Sequence, residues 1–211
     1  VTTIERIGNP VYPEIWKRTE VKRREGRKKL GLSESDFVVL GVGQILKRKG
    51  VEDFLDVAAA IPEARFVWAG GRPFGPLTEG IIRINERFRK AGPNVIPTGQ
   101  LTLDDMPALY AASDIMLFPS WQENCPLAPI EAAASGMPVI FRDIAEYRSL
   151  YENPYLKAGN TKEFIEMTSK MISDPEYFSV GKEISARLIL QFDKDEIRKK
   201  LISLYDRLCH S

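Results

Sequence analysis

From residue 37 to residue 141, short apolar runs rich in β-branched side chains alternate with segments of helical periodicity, and few architectures accept such a pattern. Residues 37–43 (FVVLGVG) form a continuous apolar run closed by glycine, as expected of a strand buried on both faces. Residues 51–61 (VEDFLDVAAAI) carry apolar side chains at helical spacing, and 65–69 (RFVWA) read as the next strand, closed by Gly70 and Gly71. A helix is expected over 78–90, a short strand over 94–98, and a helix over 103–112 with Asp104 as its N-cap. Residues 114–118 (DIMLF) and 137–141 (MPVIF) are apolar strands on either side of another helix. The implied fold class is α/β: a doubly wound, mostly parallel, Rossmann-like sheet with helices on both faces. Ligands on such sheets bind at the carboxyl ends of the strands, so the loops 43–50, 96–99 and 119–126 are expected along one edge.

The two ends of the chain differ from this middle. Residues 1–36 contain a turn (GNPVYP) and a basic helix, and from residue 161 onward only helical patterns remain, with breaks at Asp174-Pro175 and near Phe192. Residues 17–29 (KRTEVKRREGRKK) hold eight basic residues against two acidic ones. A solvated helical face is the expected reading of that run; an anionic membrane surface or an acidic partner is the alternative.

With 211 residues, 44% of them hydrophobic, the chain can bury a full core, and a formal charge of +1 gives no reason to expect a nucleic-acid partner. Cys125 and Cys209 lie far apart without metal or redox spacing, and the lone histidine, His210, excludes a histidine-based triad or an imidazole metal cluster. The sequence carries neither a signal-peptide core nor an apolar run long enough to span a bilayer, so a soluble, reduced, cytoplasmic setting is expected. A first residue of Val1 rather than Met suggests a processed product or a piece of something longer.

Two features carry chemistry. In PSWQENCPLAPIEAAASGMPVI, Glu123 and Glu131 stand eight positions apart. Pro126 and Pro129 are tolerated only in the first turn of a helix, so the helix starts near 126–128. Glu123 then lies on the loop before it and Glu131 inside it. Carboxylates accept from vicinal hydroxyls and anions favour a helix N-terminus, so this arrangement suits a polyhydroxylated, phosphorylated ligand. A loop Glu and a solvated helical Glu are the plainer alternative.

The other feature is GVGQILKRKG. It fails as a dinucleotide fingerprint, because Leu46 occupies the third glycine position, which disfavours a dinucleotide oxidoreductase. Lys47, Arg48 and Lys49 instead gather at the mouth of the next helix, a pocket for a diphosphate unless they are merely solvated. The acidic pairs Asp104-Asp105 and Asp193-Lys194-Asp195 open helical patterns and read as N-caps, so no metal is assigned. Trp68 and Trp121 are expected in the core rather than stacked on a ligand.

The run ASDIMLFPSWQENCPLAPIEAAASGMPVI resembles the donor-binding segment of the retaining glycosyltransferases of the two-domain GT-B fold, family 4 (glycosyltransferases group 1). GVGQILKRKG, NVIPTG and LDDMPALYAASD resemble further elements of that family in the same order, so the resemblance covers residues 37 to about 174. GQ-x-x-x-RKG, FVWAGG and FRD-x-x-x-Y are similar to the bacterial branch that glucosylates diacylglycerol.

The resemblance implies that Glu131 holds the ribose, Glu123 the donor sugar, and Lys49 the diphosphate whose charge grows as the glycosidic bond breaks. Gly43 and Gln44 border the donor, the amides of Leu127 and Ala128 face the β-phosphate, and the backbone at Ile96 meets the base. Gln44 stands where the family has arginine; either Arg48 supplies that charge or leaving-group stabilisation is weaker. The stretch after Pro138 lacks the usual Gly-Gly and reads RDIAEY.

The resemblance reaches only the second half of the two-domain enzyme. It implies an interdomain arm with a basic helix over 1–36, a nucleotide-sugar-binding Rossmann-like domain over 37–192, and a C-terminal helix over 193–211 that packs on a missing N-terminal domain. The expected function is donor binding for transfer of a hexose, glucose from UDP-glucose, to an acceptor hydroxyl of a glycolipid precursor, with peripheral contact at the inner membrane face. No cofactor or metal is required on this reading. The rivals are an NDP-sugar epimerase of similar architecture and a non-catalytic sugar-nucleotide-binding module.

Overall fold

The computed structural model describes residues 7–72, 81–152 and 154–209. Six strands are present among these residues: β1 (Val38–Val42), β2 (Arg65–Ala69), β3 (Val95–Gly99), β4 (Ile115–Phe118), β5 (Val139–Arg142) and β6 (Leu156–Ala158). They form one sheet in the order β3-β2-β1-β4-β5-β6, and every described pairing is parallel. The strand order reverses between β1 and β4, which opens a crevice above their carboxyl ends. Five strands match the expected runs; β6 is additional, and three residues are too few for periodicity to register.

Alternation along the strands sorts side chains into two cores. Val38, Leu40, Val67, Met116, Phe118, Val139 and Phe141 face one layer, and Val39, Phe66, Trp68, Ile115, Leu117 and Ile140 the other. Helices α5 (Met106–Ala112), α6 (Ala128–Ala134) and α7 (Ala145–Leu150) supply side chains to the first layer; α3 (Val51–Ala60), α4 (Ile81–Lys90) and α8 (Thr161–Ser173) supply the second. The expected start of α4 at residue 78 lies outside the described residues.

Two expectations need correction. The helix expected over 103–112 begins at Met106, and its N-cap is Asp105 rather than Asp104. The Asp105 side chain does not cap: it accepts from Thr102 Oγ1 at 2.6 Å and from Lys29 Nζ at 3.0 Å. The basic run is not simply a solvated face either. It follows a short helix, α1 (Pro13–Trp16), and forms α2 (Glu20–Leu30), started by Thr19, whose hydroxyl accepts from the Lys22 amide. Arg27 is 1% exposed, and its Nη2 lies 2.9 Å from Asp114 Oδ2.

Arg18 and Arg23 each approach Asp114 Oδ1 at 3.2 Å, while Asp114 also accepts the Val38 amide at 2.9 Å. Arg23 and Arg27, four apart, share one side of α2. A carboxylate at the start of a central strand has drawn them inward. Burial still pushes the Asp114 carboxyl up, and the Val38 amide and the Arg27 and Arg23 charges offset that only in part. Lys17, Arg24 and Lys28 remain exposed.

The C-terminal region is helical as expected: after α8 come α9 (Pro175–Leu188), a 3₁₀ turn (Ile189–Phe192) and α10 (Lys194–Cys209). Asp193 is a true cap, its Oδ1 accepting from the amides of Asp195 and Glu196 at 2.9 and 3.3 Å. The two ends of the chain meet here. The Val11 amide donates to the Phe192 carbonyl at 2.7 Å, and Lys194 pairs with Glu14.

Candidate functional site

The crevice between β1 and β4 is walled by glycine-closed loops laced to one another. The Gly43 amide donates to Ala69 O at 2.9 Å, the Gly70 amide to Gly99 O at 2.9 Å, and the Ile45 amide to Gly71 O at 2.9 Å. The Gly43 carbonyl accepts from Trp68 Nε1 at 3.0 Å, so buried Trp68 is the core residue expected, with its polar tip beneath the loop. A Cβ on Gly70 would fall 1.9 Å from Gly43 O. Lys47–Lys49 form a single 3₁₀ turn ended by Gly50, whose φ of 70° lies in the left-handed region. A Cβ there would fall 2.1 Å from Pro119 O, on the loop after β4. The Trp121 amide closes the same seam by donating to Arg48 O at 2.7 Å.

Across this seam Lys49 Nζ and Glu123 Oε1 form an ion pair whose side chains are only 15% and 9% exposed. The lysine methylenes run beside Gly43: a Cβ on that glycine would sit 3.4 Å from Lys49 Cδ. Arg48 is exposed, donates to Gln122 O at 3.4 Å, and joins Glu123, Asn124 and Cys125 around a cavity of about 390 Å³. Both cysteines are free.

Glu131 occupies the first turn of α6, behind Pro129, as the proline spacing required. Its Oε2 accepts from the Tyr110 hydroxyl of α5 at 2.8 Å. Burial pushes the Glu131 carboxyl up, and the Tyr110 bond pulls part of the way back. Tyr110 itself is raised well above the usual phenol range, first by burial and then by the neighbouring Glu131 charge. Glu131, Tyr110, Gly43, Gln44, Gly71 and Gln100 help line a cavity of about 300 Å³, with Trp16 and Met106 on its apolar side. Leu127 stands at the N-cap of α6, so the amides of Leu127 and Ala128 belong to the turn that lacks intrahelical acceptors.

The structure thus brings together Gly43, Gln44, Arg48, Lys49, Glu123, Leu127, Ala128 and Glu131 at one edge of the sheet. Ile96 stands apart. It lies within β3 and lines a separate cavity of about 370 Å³ with Leu30 and Leu109. Gly71, Gln100 and Leu101 border the Glu131 cavity in its place. Their signal in the sequence was positional only, being the residues just past the carboxyl ends of β2 and β3. Tyr110 gave none, because a tyrosine on an apolar helix face reads as core. Trp121 was expected in the core but is 54% exposed. Among the described residues no group of three His, Cys, Asp or Glu side chains is placed to hold a metal ion, and no helix is long and apolar enough to cross a membrane.

Known proteins share this fold. The solved structure of Anabaena Alr3699/HepE in complex with UDP and glucose superposes with a TM-score of 0.83 at 20% identity, covering 95% of this chain and 56% of that one. The C-terminal domain of a glycosyl transferase group 1 family protein (LpcC) from Francisella tularensis superposes with a TM-score of 0.69 at 20% identity over 85% of this chain and 96% of that one. The shared fold is the Rossmann-like α/β half of the GT-B enzymes.

By sequence, the chain is 31% identical over 204 residues to the alpha-galactosylglucosyldiacylglycerol synthase of Streptococcus pneumoniae, covering 95% of this chain and 54% of that protein. It is 30% identical over 154 residues to the processive diacylglycerol alpha-glucosyltransferase of Acholeplasma laidlawii, covering 71% and 45%. The chain therefore spans about half the length of the curated relatives it matches. Residues 36–174, from the approach to β1 through both glutamates to the end of α8, match the family described as glycosyl transferases group 1, and to that family the chain belongs.

Proposed function

We propose that this chain is the donor-binding half of a retaining hexosyltransferase that takes glucose from UDP-glucose. The observation that carries the reading is the Lys49–Glu123 ion pair, set on the same crevice as the Tyr110-anchored Glu131. A nucleoside fits the cavity of Glu131, Gly43, Gln44 and Gln100, with Glu131 accepting from the ribose hydroxyls. The diphosphate then runs past Gly43 towards Lys49 and the first-turn amides of α6, and the hexose reaches Glu123 and Arg48.

In this reading Lys49 exchanges Glu123 for the diphosphate. Its charge, with that of exposed Arg48, offsets the negative charge that grows on the leaving group, without a metal. Glu123, released, accepts from hydroxyls of the sugar. Arg48 takes the role left open by Gln44. The acceptor hydroxyl belongs to a glycolipid precursor at the cytoplasmic membrane face, a reading supported by the names of the two diacylglycerol-linked relatives. The other half of the enzyme holds that acceptor, and α10, with Ile202 and Tyr205 exposed, reaches back towards it.

Isothermal calorimetry of this chain with UDP and UDP-glucose tests the donor assignment. Weak binding of both, without turnover, is expected, because half of the cleft is supplied elsewhere. No heat with any nucleotide would remove the assignment.

A further inference from the structure

Behind the crevice, on the α3 and α8 side of the sheet, a single arginine ties four elements together. Arg142, the last residue of β5, is 1% exposed in a strand otherwise apolar. Its Nε donates to Pro119 O at 2.8 Å, and its Nη2 lies 2.8 Å from Asp53 Oδ2. The guanidinium carbon sits 3.6 Å from the centroid of the Trp121 ring and 5.4 Å from that of Phe164. Asp53 in turn accepts from Trp121 Nε1 at 3.1 Å and from Thr161 Oγ1 at 2.6 Å. The network therefore spans the loop after β4, the first turn of α3, β5 and the start of α8.

Chain position gives the network its meaning. Asp53, in the first turn of α3, follows Lys49 of the preceding 3₁₀ turn by four residues, and Trp121 precedes Glu123 by two. Holding Asp53 and Trp121 to one guanidinium fixes the segment that carries Lys49 against the segment that carries Glu123. Stability alone does not call for an arginine here. Desolvating a charge at a strand end is costly, and well-packed apolar side chains of similar volume often serve as well or better. The planar fork of arginine can donate to Pro119 while pairing with Asp53 and lying flat under an indole; an ammonium point charge cannot do all three. We infer that Arg142 is a positioning residue that sets Lys49 and Glu123 in register across the seam. It does so from behind the site and does not itself touch the donor. The inference about donor geometry rests on the proposed function; the inference about the ion pair does not.

Two measurements on this chain test it. The first needs no ligand: the Lys49 side-chain NMR signal, assigned by its loss in Lys49→Arg and by its displacement in Glu123→Gln. In a folded Arg142→Gln variant the Lys49 signal is expected to move towards its Glu123→Gln position. An unmoved signal overturns the inference. Should Arg142→Gln fail to fold, Trp121→Phe, at a half-exposed side chain, gives up the indole bond to Asp53 and part of the ring face over Arg142, and is judged by the same two outcomes. The second measurement is the ratio of the dissociation constants for UDP and UDP-glucose. The variant should keep UDP affinity within about twofold while the ratio falls on the order of fivefold, because only the sugar end loses its geometry. Equal loss for both ligands, or an unchanged ratio, overturns the inference. Absence of any nucleotide binding by the unaltered chain removes the proposed donor site and leaves the Lys49 signal to decide the role of Arg142.

Discussion

The Tyr110 hydroxyl donates to Glu131 Oε2 at 2.8 Å, bridging α5 and α6 at the edge of the crevice, and it is the partner that partly offsets the burial of that carboxylate. Burial dominates, so Glu131 takes up its proton at a higher pH than a free glutamate. The sign follows from linkage. The folded state holds this proton more tightly than the unfolded chain, so the contribution of Glu131 to stability falls as pH rises through the raised value. On the proposed reading, ribose binding runs the other way, because only the ionised carboxylate accepts from both hydroxyls.

UDP affinity is therefore expected to be full above the raised Glu131 value and to fall as the solution is acidified through it. Tyr110→Phe should shift that loss to higher pH and weaken UDP binding at neutral pH by about tenfold or more, the lower end of what one hydrogen bond to a charged group contributes. Calorimetric titrations at several pH values check both statements; a flat profile would count against Glu131 as the ribose ligand.

Glu123 and Lys49 should respond in opposite senses. Glu123→Gln frees Lys49 from its ion pair, so UDP affinity should hold or rise while the extra affinity for UDP-glucose disappears. Lys49→Met should weaken UDP and UDP-glucose alike, by about tenfold or more for loss of a charge-assisted contact. Loss of UDP binding in Glu123→Gln would show the roles of Glu123 and Glu131 to be exchanged.

Asp114→Asn leaves Arg27 buried beside a neutral amide and removes the shared partner of Arg18 and Arg23. Breaking a buried ion pair from one side costs about 3–5 kcal/mol, or roughly 6 °C or more in melting temperature for a domain of this size. Thermal unfolding followed by circular dichroism measures it. A change within about a degree would mean that the cluster is solvated rather than structural.

Gly50→Ala and Gly31→Ala make a matched pair. Their φ angles are 70° and 67°, but a Cβ on Gly50 meets Pro119 O at 2.1 Å, whereas a Cβ on Gly31 meets nothing within 4 Å. The left-handed conformation alone costs about 1–2 kcal/mol in either variant. Gly50→Ala should melt several degrees lower than Gly31→Ala and should also weaken UDP binding, because it parts the Lys49 loop from the loop after β4. Equal melting temperatures would show that the seam yields without cost.

Much of the fold was legible because a parallel sheet buried on both faces writes its strands as continuous apolar runs. Residues 65–69 were read as a strand with the bounds that β2 has. The start of α6 was equally plain, since Pro129 admits only the first helical turn. Three-residue β6 left no pattern. The basic run misled because charge in a sequence is seen without its partner: nothing near Arg27 in the chain announces that Asp114, 87 positions away, will draw it inside.

The site divides along the same line. Glu123, Glu131 and the Lys47–Lys49 run stand in short local patterns, so their residue types and order along the crevice belong to the sequence. Which side chains they meet depends on contacts across the sheet that leave no spacing to read. Tertiary structure alone joined Lys49 to Glu123 over 74 positions, and Tyr110 to Glu131 over 21. It also moved the cavity border from Ile96 to Gly71 and Gln100. Local periodicity sets which strands form; the reversal of strand order between β1 and β4 decides which loops face one another.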